Sequence, residues 1–141
     1  MPLATVYLAF MMQAANAYGL PPRVLPSIQA VEGGAPGLVH RNTNGSADLG
    51  VMQVNTVWLG PLAAYCHRTP DAVQDSLTND ARFNIYAAAL ILGTYLQQAH
   101  GDLSDRVLEA VGDYHSHTKL LNLAYRSHVV AVAQAMFGQR R

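Results

Sequence analysis

Between Asn79 and Gly101 the chain carries Phe83, Ile85, Tyr86, Leu90, Ile91, Leu92 and Leu96, which fall on nearly every side of a helical spiral. A helix that is apolar almost all round cannot rest on a surface and has to be wrapped by the rest of the molecule. Asn79 or Asp80 is expected to start it, His100 to end it before Gly101, and the other elements to pack around it as a buried axis. Its longest apolar run, Ile85 to Leu92, is far short of the ~20 residues of a membrane span.

The remaining segments also read as helices. Leu3 to Tyr18 is an amphipathic first helix closed by Gly19. Leu3 to Met12 followed by Ala15-Asn16-Ala17 resembles a secretory core and cleavage site, but no Lys or Arg precedes it, so the helix is preferred and a mature or trimmed domain is expected. Arg23 to Glu32 places Leu25, Ile28 and Val31 at helical spacing, with Pro26 in the first turn and Gly33-Gly34 as the stop. Pro36 to Gly50 is rich in Gly, Asn, Ser and Asp, which predicts turns and at most short strands. Asn55 caps a helix through Trp58 that is interrupted near Gly60-Pro61, and Thr69-Pro70-Asp71 opens a short one. Ser104 is expected to cap a helix ending near Tyr114, and Thr118 to introduce the last, Lys119 to Phe137. The expectation is a mainly α single domain over residues 1–141, with one small irregular or short-β lobe. No repeat, low-complexity tract or linker divides it.

Composition narrows the partners. Nine basic side chains balance nine acidic ones, so the excess of Lys and Arg that phosphate binding requires is missing, and nucleic acid is not expected as a partner. Cys66 is the lone cysteine; it cannot form an internal disulfide and reads as a small buried hydrophobe. A monomer without a membrane span is expected.

The chemistry concentrates around Glu32 and the polar stretch that follows it. Glu32 ends an apolar helix, whose carbonyl end disfavours a further negative charge, and Ile28 and Val31 suggest a desolvated wall. Both effects favour a protonated carboxyl, the form needed in a general acid. The plain alternative is an exposed glutamate beside a flexible diglycine. Asp48, sixteen residues on, supplies a second carboxylate. It either supports positive charge at a sugar carbon, acts as a nucleophile, or bonds its own turn, as Asp commonly does among Gly and Asn. Gln53 and Asn55 alternate with Met52 and Val54, a period of two that would turn both amides to one face. Amides there suit sugar hydroxyl and acetamido groups, or simply hold the turn.

Taken in order, Glu32, then Arg41-Asn42-Thr43-Asn44-Gly45-Ser46-Ala47-Asp48-Leu49-Gly50-Val51-Met52-Gln53-Val54-Asn55, then Ala110-Val111-Gly112-Asp113-Tyr114-His115-Ser116 resemble the motifs of soluble lytic transglycosylases. The similarity is greatest to the small specialised kind associated with secretion, conjugation and pilus systems. It runs from about Ala14 to Met136. The polar stretch is also similar to that of animal c-type lysozymes, including an Asp at the position of Asp48, but those enzymes are rich in disulfides.

The resemblance implies a lysozyme-like fold of the goose-type kind, with the small lobe forming one wall of a cleft. It implies that Glu32 is the single general acid and base that cleaves the bond between N-acetylmuramic acid and N-acetylglucosamine. Ser46, Met52, Gln53 and His115 would lie along the bound sugars and Asn55 would support that wall. Tyr114 would reach the glutamate or the acetamido sugar. Asp48 is the second catalytic candidate, dispensable if the substrate's own acetamido group assists. The implied partner is peptidoglycan in the periplasm or cell envelope, with no metal or other cofactor. Two positions depart from the family pattern: Gly33 stands where Ser is usual, and His115 where many relatives have Asn.

Other residues read more plainly. His115, His117 and His128 lack an acidic or cysteine partner at a metal-ligand spacing, so local hydrogen bonds are expected of them. Trp58 reads as a packing anchor before a sugar platform, and Tyr86, Tyr95 and Tyr125 read as core. A hydrolytic muramidase, a phage-type lysin and a non-catalytic peptidoglycan-binding module are the alternatives to the transglycosylase.

Overall fold

The computed structural model describes residues 5–138, which form seven α-helices and a small sheet. The helices are α1 (Thr5–Tyr18), α2 (Val24–Glu32), α3 (Leu59–Cys66), α4 (Pro70–Asn79), α5 (Ala81–Gln98), α6 (Leu103–His115) and α7 (Lys119–Phe137). Strands β1 (Val39–Arg41), β2 (Ala47–Leu49) and β3 (Val54–Asn55) lie between α2 and α3, and a 3-10 turn (Thr56–Trp58) leads into α3. The expected start of the first helix at Leu3 lies outside the described residues. No helix among them is long and apolar enough to cross a membrane.

The apolar segment is the axis of the molecule. On α5, Asn84, Ile85, Ala88, Ala89 and Leu92 have no exposure, and α1, α4, α6 and the sheet pack around it. Most boundaries follow local chemistry. Asp80 caps α5 by accepting the Phe83 N–H at 3.1 Å, and the helix stops at Gln98, short of the expected His100. Thr69 accepts the Ala72 N–H at 3.1 Å to open α4, with Pro70 at its first position. The cap of α6 is Asp102, which accepts the Asp105 N–H at 2.9 Å; Ser104, the expected cap, lies inside the first turn. A carboxylate two positions earlier satisfies the same helix-end donors and complements their partial positive charge. Gly60 and Pro61 do not interrupt a helix. They fall in the first turn of α3, where the missing proline N–H would have no intrahelical partner in any case. Cys66, expected to be buried, is half-buried at the end of α3.

The sheet is antiparallel in the order β1-β2-β3, pairing Val39 with Leu49, His40 with Asp48 and Arg41 with Ala47, then Asp48 with Asn55 and Leu49 with Val54. Alternation along β2 buries Ala47 and Leu49 and leaves Asp48 on the other face, beside His40 and Asn55. The stretch from Met52 to Asn55 is not one strand. Gln53 has a φ of +53°, so the backbone turns there and only Val54 and Asn55 join the ladder.

A single buried side chain fastens this lobe to the axis. The Asn84 carbonyl accepts the Met52 N–H at 2.7 Å, and its amide donates to the carbonyls of Leu49 and Leu77, both at 2.8 Å. Three segments that share no ladder are thereby joined, and each bond satisfies a backbone group that has no water to turn to. Asn84→Ala should lower the unfolding free energy by about 3 kcal/mol or more, because those groups are left buried without partners. Urea denaturation checks this, and a loss below about 1 kcal/mol would mean that the lobe is held by other means.

Candidate active site

The end of α2 meets the sheet through two glycines. Gly33 adopts φ +67°, the left-handed conformation that ends a helix, and its N–H returns to the Gln29 carbonyl at 2.8 Å. Gly34 lies flat against the next segment; a Cβ on it would overlap the carbonyl oxygens of Gly50 and Val51. Gly33, at the position where the family it resembles usually has Ser, thus has a backbone reason in its positive φ. The pair brings Glu32, the last residue of α2, against the turn that holds Gln53.

Glu32 borders a cleft of about 700 Å³. Asn42, Ser46, Asp48, Gln53 and Asn55 form a polar wall from the sheet and its turns. Trp58, Pro61, Ile91, Tyr95 and Leu121 form an apolar wall, and Tyr114 and His115 border the same space from the end of α6. Of the residues expected to touch substrate, Ser46, Gln53, Asn55, Tyr114 and His115 therefore share one cleft with Glu32 and Asp48.

Met52 does not. Its side chain has no exposure and packs in the core, because the turn at Gln53 directs it inward; only its carbonyl oxygen serves the site, accepting the Tyr114 hydroxyl at 2.8 Å. Tyr114 accordingly bonds the polar wall, and a different tyrosine bonds the acid. The Tyr125 hydroxyl, from α7, donates to Glu32 Oε2 at 2.6 Å. Tyr125, a core residue by its spacing, is buried at 7% exposure on the α7 face that also buries Asn122 and Val129. Helical spacing could not distinguish it from a packing residue. The available signal was chemical: a buried phenol needs a partner for its hydroxyl.

The Glu32 carboxyl is held above the ordinary carboxylate range. Burial is the chief cause, the Tyr125 hydrogen bond opposes it by stabilising the ionised form, and the negative charge of Asp48 adds to the rise. Burial, followed by the charge of Glu32, pushes both the Tyr125 and Tyr114 phenols upward, so both remain donors at neutral pH. The site can thus hold a proton on a carboxyl in a groove, which is the requirement for an acid catalyst.

Asp48 has a double position. Its Oδ1 accepts from the Asn55 amide at 2.9 Å and its Oδ2 from Asn42 at 3.3 Å, while the His40 ring lies 3.7 Å away. These bonds hold the turn, yet the side chain stays 27% exposed and faces the cleft. Ser46 ties the same wall together by donating to Asn44 at 2.7 Å and accepting from Asn42 and Asn55. Gln53 gives its amide to the Gly50 carbonyl at 2.9 Å.

The aromatic residues lie closer to the site than their spacing suggests. Trp58 and Tyr95 are half-buried cleft residues, in edge contact with ring centroids 5.8 Å apart. His115 lies parallel on the Tyr125 ring at 4.5 Å. His117 meets Tyr95 edge-on and sits 3.4 Å from Asp113. His115 and His117 thus engage separate aromatic and acidic partners, and no group of three or more ligating side chains among the described residues is arranged to hold a metal ion.

No family model matches the chain, and no curated protein matches it either. The resemblance to lytic transglycosylases therefore rests on the motif residues alone.

Two outcomes follow from the proton held by Glu32. The folded protein binds this proton more tightly than the unfolded chain, so stability falls as pH rises through the folded value. Glu32→Gln should therefore raise the melting temperature at neutral and alkaline pH, and the gap should close below the unfolded carboxyl range; calorimetry across pH measures it. Tyr125→Phe removes the bond that favours the anion, so the Glu32 carboxyl should titrate at still higher pH in carboxyl-carbon NMR.

Proposed function

We propose that this protein is a lytic transglycosylase of lysozyme-like fold that cleaves the glycan strands of peptidoglycan. The observation that carries the reading is Glu32: a carboxyl with a raised proton affinity, at a helix end, bordering a cleft that is also lined by amides and hydroxyls. The order of elements supports it, since the acid and the polar lobe that follows it converge with the distant Tyr114 segment.

In the proposed reaction, protonated Glu32 donates to the oxygen that links the muramoyl and glucosaminyl residues. The muramoyl acetamido oxygen attacks the anomeric carbon from within the substrate as the bridging C–O bond breaks. Glu32, now ionised and still bonded to Tyr125, takes the proton of the C6 hydroxyl, whose oxygen closes a 1,6-anhydro ring and releases the acetamido group. The acid is thereby regenerated. Burial favours the proton donor and the Tyr125 bond steadies the anion, so the two opposing effects at Glu32 serve successive steps. The apolar wall with Trp58 and Tyr95 offers faces for sugar rings.

One observation favours the hydrolytic variant as the second reading. The Asp48 carboxylate is partly exposed to the cleft, where it could support positive charge at the sugar carbon while water attacks. Its bonds to Asn42 and Asn55 nevertheless account for its position structurally. Peptidoglycan as substrate would station the protein in the periplasm or cell envelope, serving a secretion, conjugation or pilus machine that opens the wall locally.

Mass spectrometry of fragments released from purified sacculi tests this. Wild type should yield anhydro-muramoyl ends, and Glu32→Gln should cut release at least about a hundredfold with the fold retained. Asp48→Asn should keep activity within about tenfold of wild type. Reducing ends in place of anhydro ends would decide for hydrolysis, and undiminished release by Glu32→Gln would remove the acid from the account.

A further inference from the structure

The cleft holds two carboxylates whose partners leave their charge uncancelled. Asp48 comes from β2 and Asp113 from α6, and both border the same cavity. Asp48 is bonded by the amides of Asn42 and Asn55, and Asp113 by the amide of Asn122 at 3.0 Å. An amide satisfies a carboxylate's lone pairs but adds no positive charge. Each carboxylate also has one imidazole nearby, His40 at 3.7 Å and His117 at 3.4 Å, and these rings are largely in water, 67% and 69% exposed. No Lys or Arg is among the described residues that line the cleft. Glu32 carries no positive charge in either protonation state, so with the imidazoles uncharged the field along the groove is negative, concentrated by the low-dielectric apolar wall.

This field bears on one chemical feature of amino-sugar strands. Acetamido and hydroxyl groups are neutral. The lactyl ether on a muramoyl ring is a carboxylate when free and a neutral amide when a peptide is attached. That group sits on the ring itself, so a sugar in the cleft brings it near the walls, whereas charges further along a peptide can remain in solvent.

We propose that the cleft selects amino-sugar strands whose lactyl groups are amide-capped or absent and rejects strands carrying free lactyl carboxylates, with Asp113 and Asp48 as the residues that set this specificity. The proposal rests on the reading of the cleft as a glycan site. It assigns the protein to strands that still bear their peptides, ahead of strands from which a separate amide-cleaving reaction has stripped them. Like-charge juxtaposition discriminates against the wrong ligand more than it strengthens the right one.

The test uses the full chain carrying Glu32→Gln, so that no probe is consumed, and titration calorimetry at low ionic strength. Three probes of equal length are compared: a neutral N-acetylglucosamine oligomer, a glucosaminyl-muramoyl oligomer with free lactyl groups, and the same oligomer with those groups amidated. The amidated probe should bind about five- to tenfold tighter than the free-lactyl probe, and the ratio should shrink when salt shortens the screening length. Adding Asp113→Asn, which keeps an acceptor for Asn122, should improve free-lactyl binding several-fold and leave the neutral oligomer within about twofold. Asp48→Asn supplies a second, independent removal of charge with the same expected direction. Equal or tighter binding of the free-lactyl probe, or a ratio unmoved by both substitutions, overturns the selectivity and leaves the glycan reading standing. Failure of all three probes to bind overturns the glycan reading, and the selectivity with it.

Discussion

Asn84 is the point on which the arrangement turns. A side-chain amide at the centre of the molecule replaces a missing ladder, holding the Leu49–Met52 turn and the end of α4 to the central helix. In an apolar interior such a group is stable only when each donor and acceptor is matched, and here they are. The turn that carries part of the polar wall is thereby held to α5 and to the end of α4. Close contact of Gly34 with Gly50 and Val51 adds a second constraint that no larger residue allows.

The site is made of conflicts that the fold sustains. A carboxyl prefers water, yet Glu32 is placed where burial and a neighbouring negative charge both resist its ionisation. A phenol from the far end of the chain then offers the anion a single short hydrogen bond. Such a group costs stability when ionised, which is a common mark of functional positions. The polar wall has the opposite character: its amides and hydroxyls are bonded largely to one another, which makes it rigid before any ligand arrives.

Much of the architecture was legible because its causes are local. The apolar run of α5, the proline and acid at the start of α4, and the glycine stop after Glu32 act within a turn or two of the chain, and each element formed where they stand. The errors arose where two local rules compete. Ser104 and Asp102 both suit a helix start, and the carboxylate prevailed. Met52 to Asn55 has the alternation of a strand, but the left-handed turn at Gln53 breaks it, which sends Met52 into the core and leaves Asn55 to bridge Ser46 and Asp48. Trp58 and Tyr95, which read as packing residues, are half in the core and half in the cleft, a distinction that spacing along one helix cannot express.

By itself the sequence determined which segments are helical, that one of them is buried, and that a carboxyl ends a helix beside a polar turn. These follow from backbone sterics, side-chain periodicity and capping, all of them short-range. Only the tertiary structure decided which tyrosine bonds that carboxyl, which wall residues open to the cleft, and that Asp48 and Asp113 lie along one groove. Those facts depend on how helices cross. Glu32 and Tyr125 are 93 positions apart, and nothing local to either residue encodes the 2.6 Å between them.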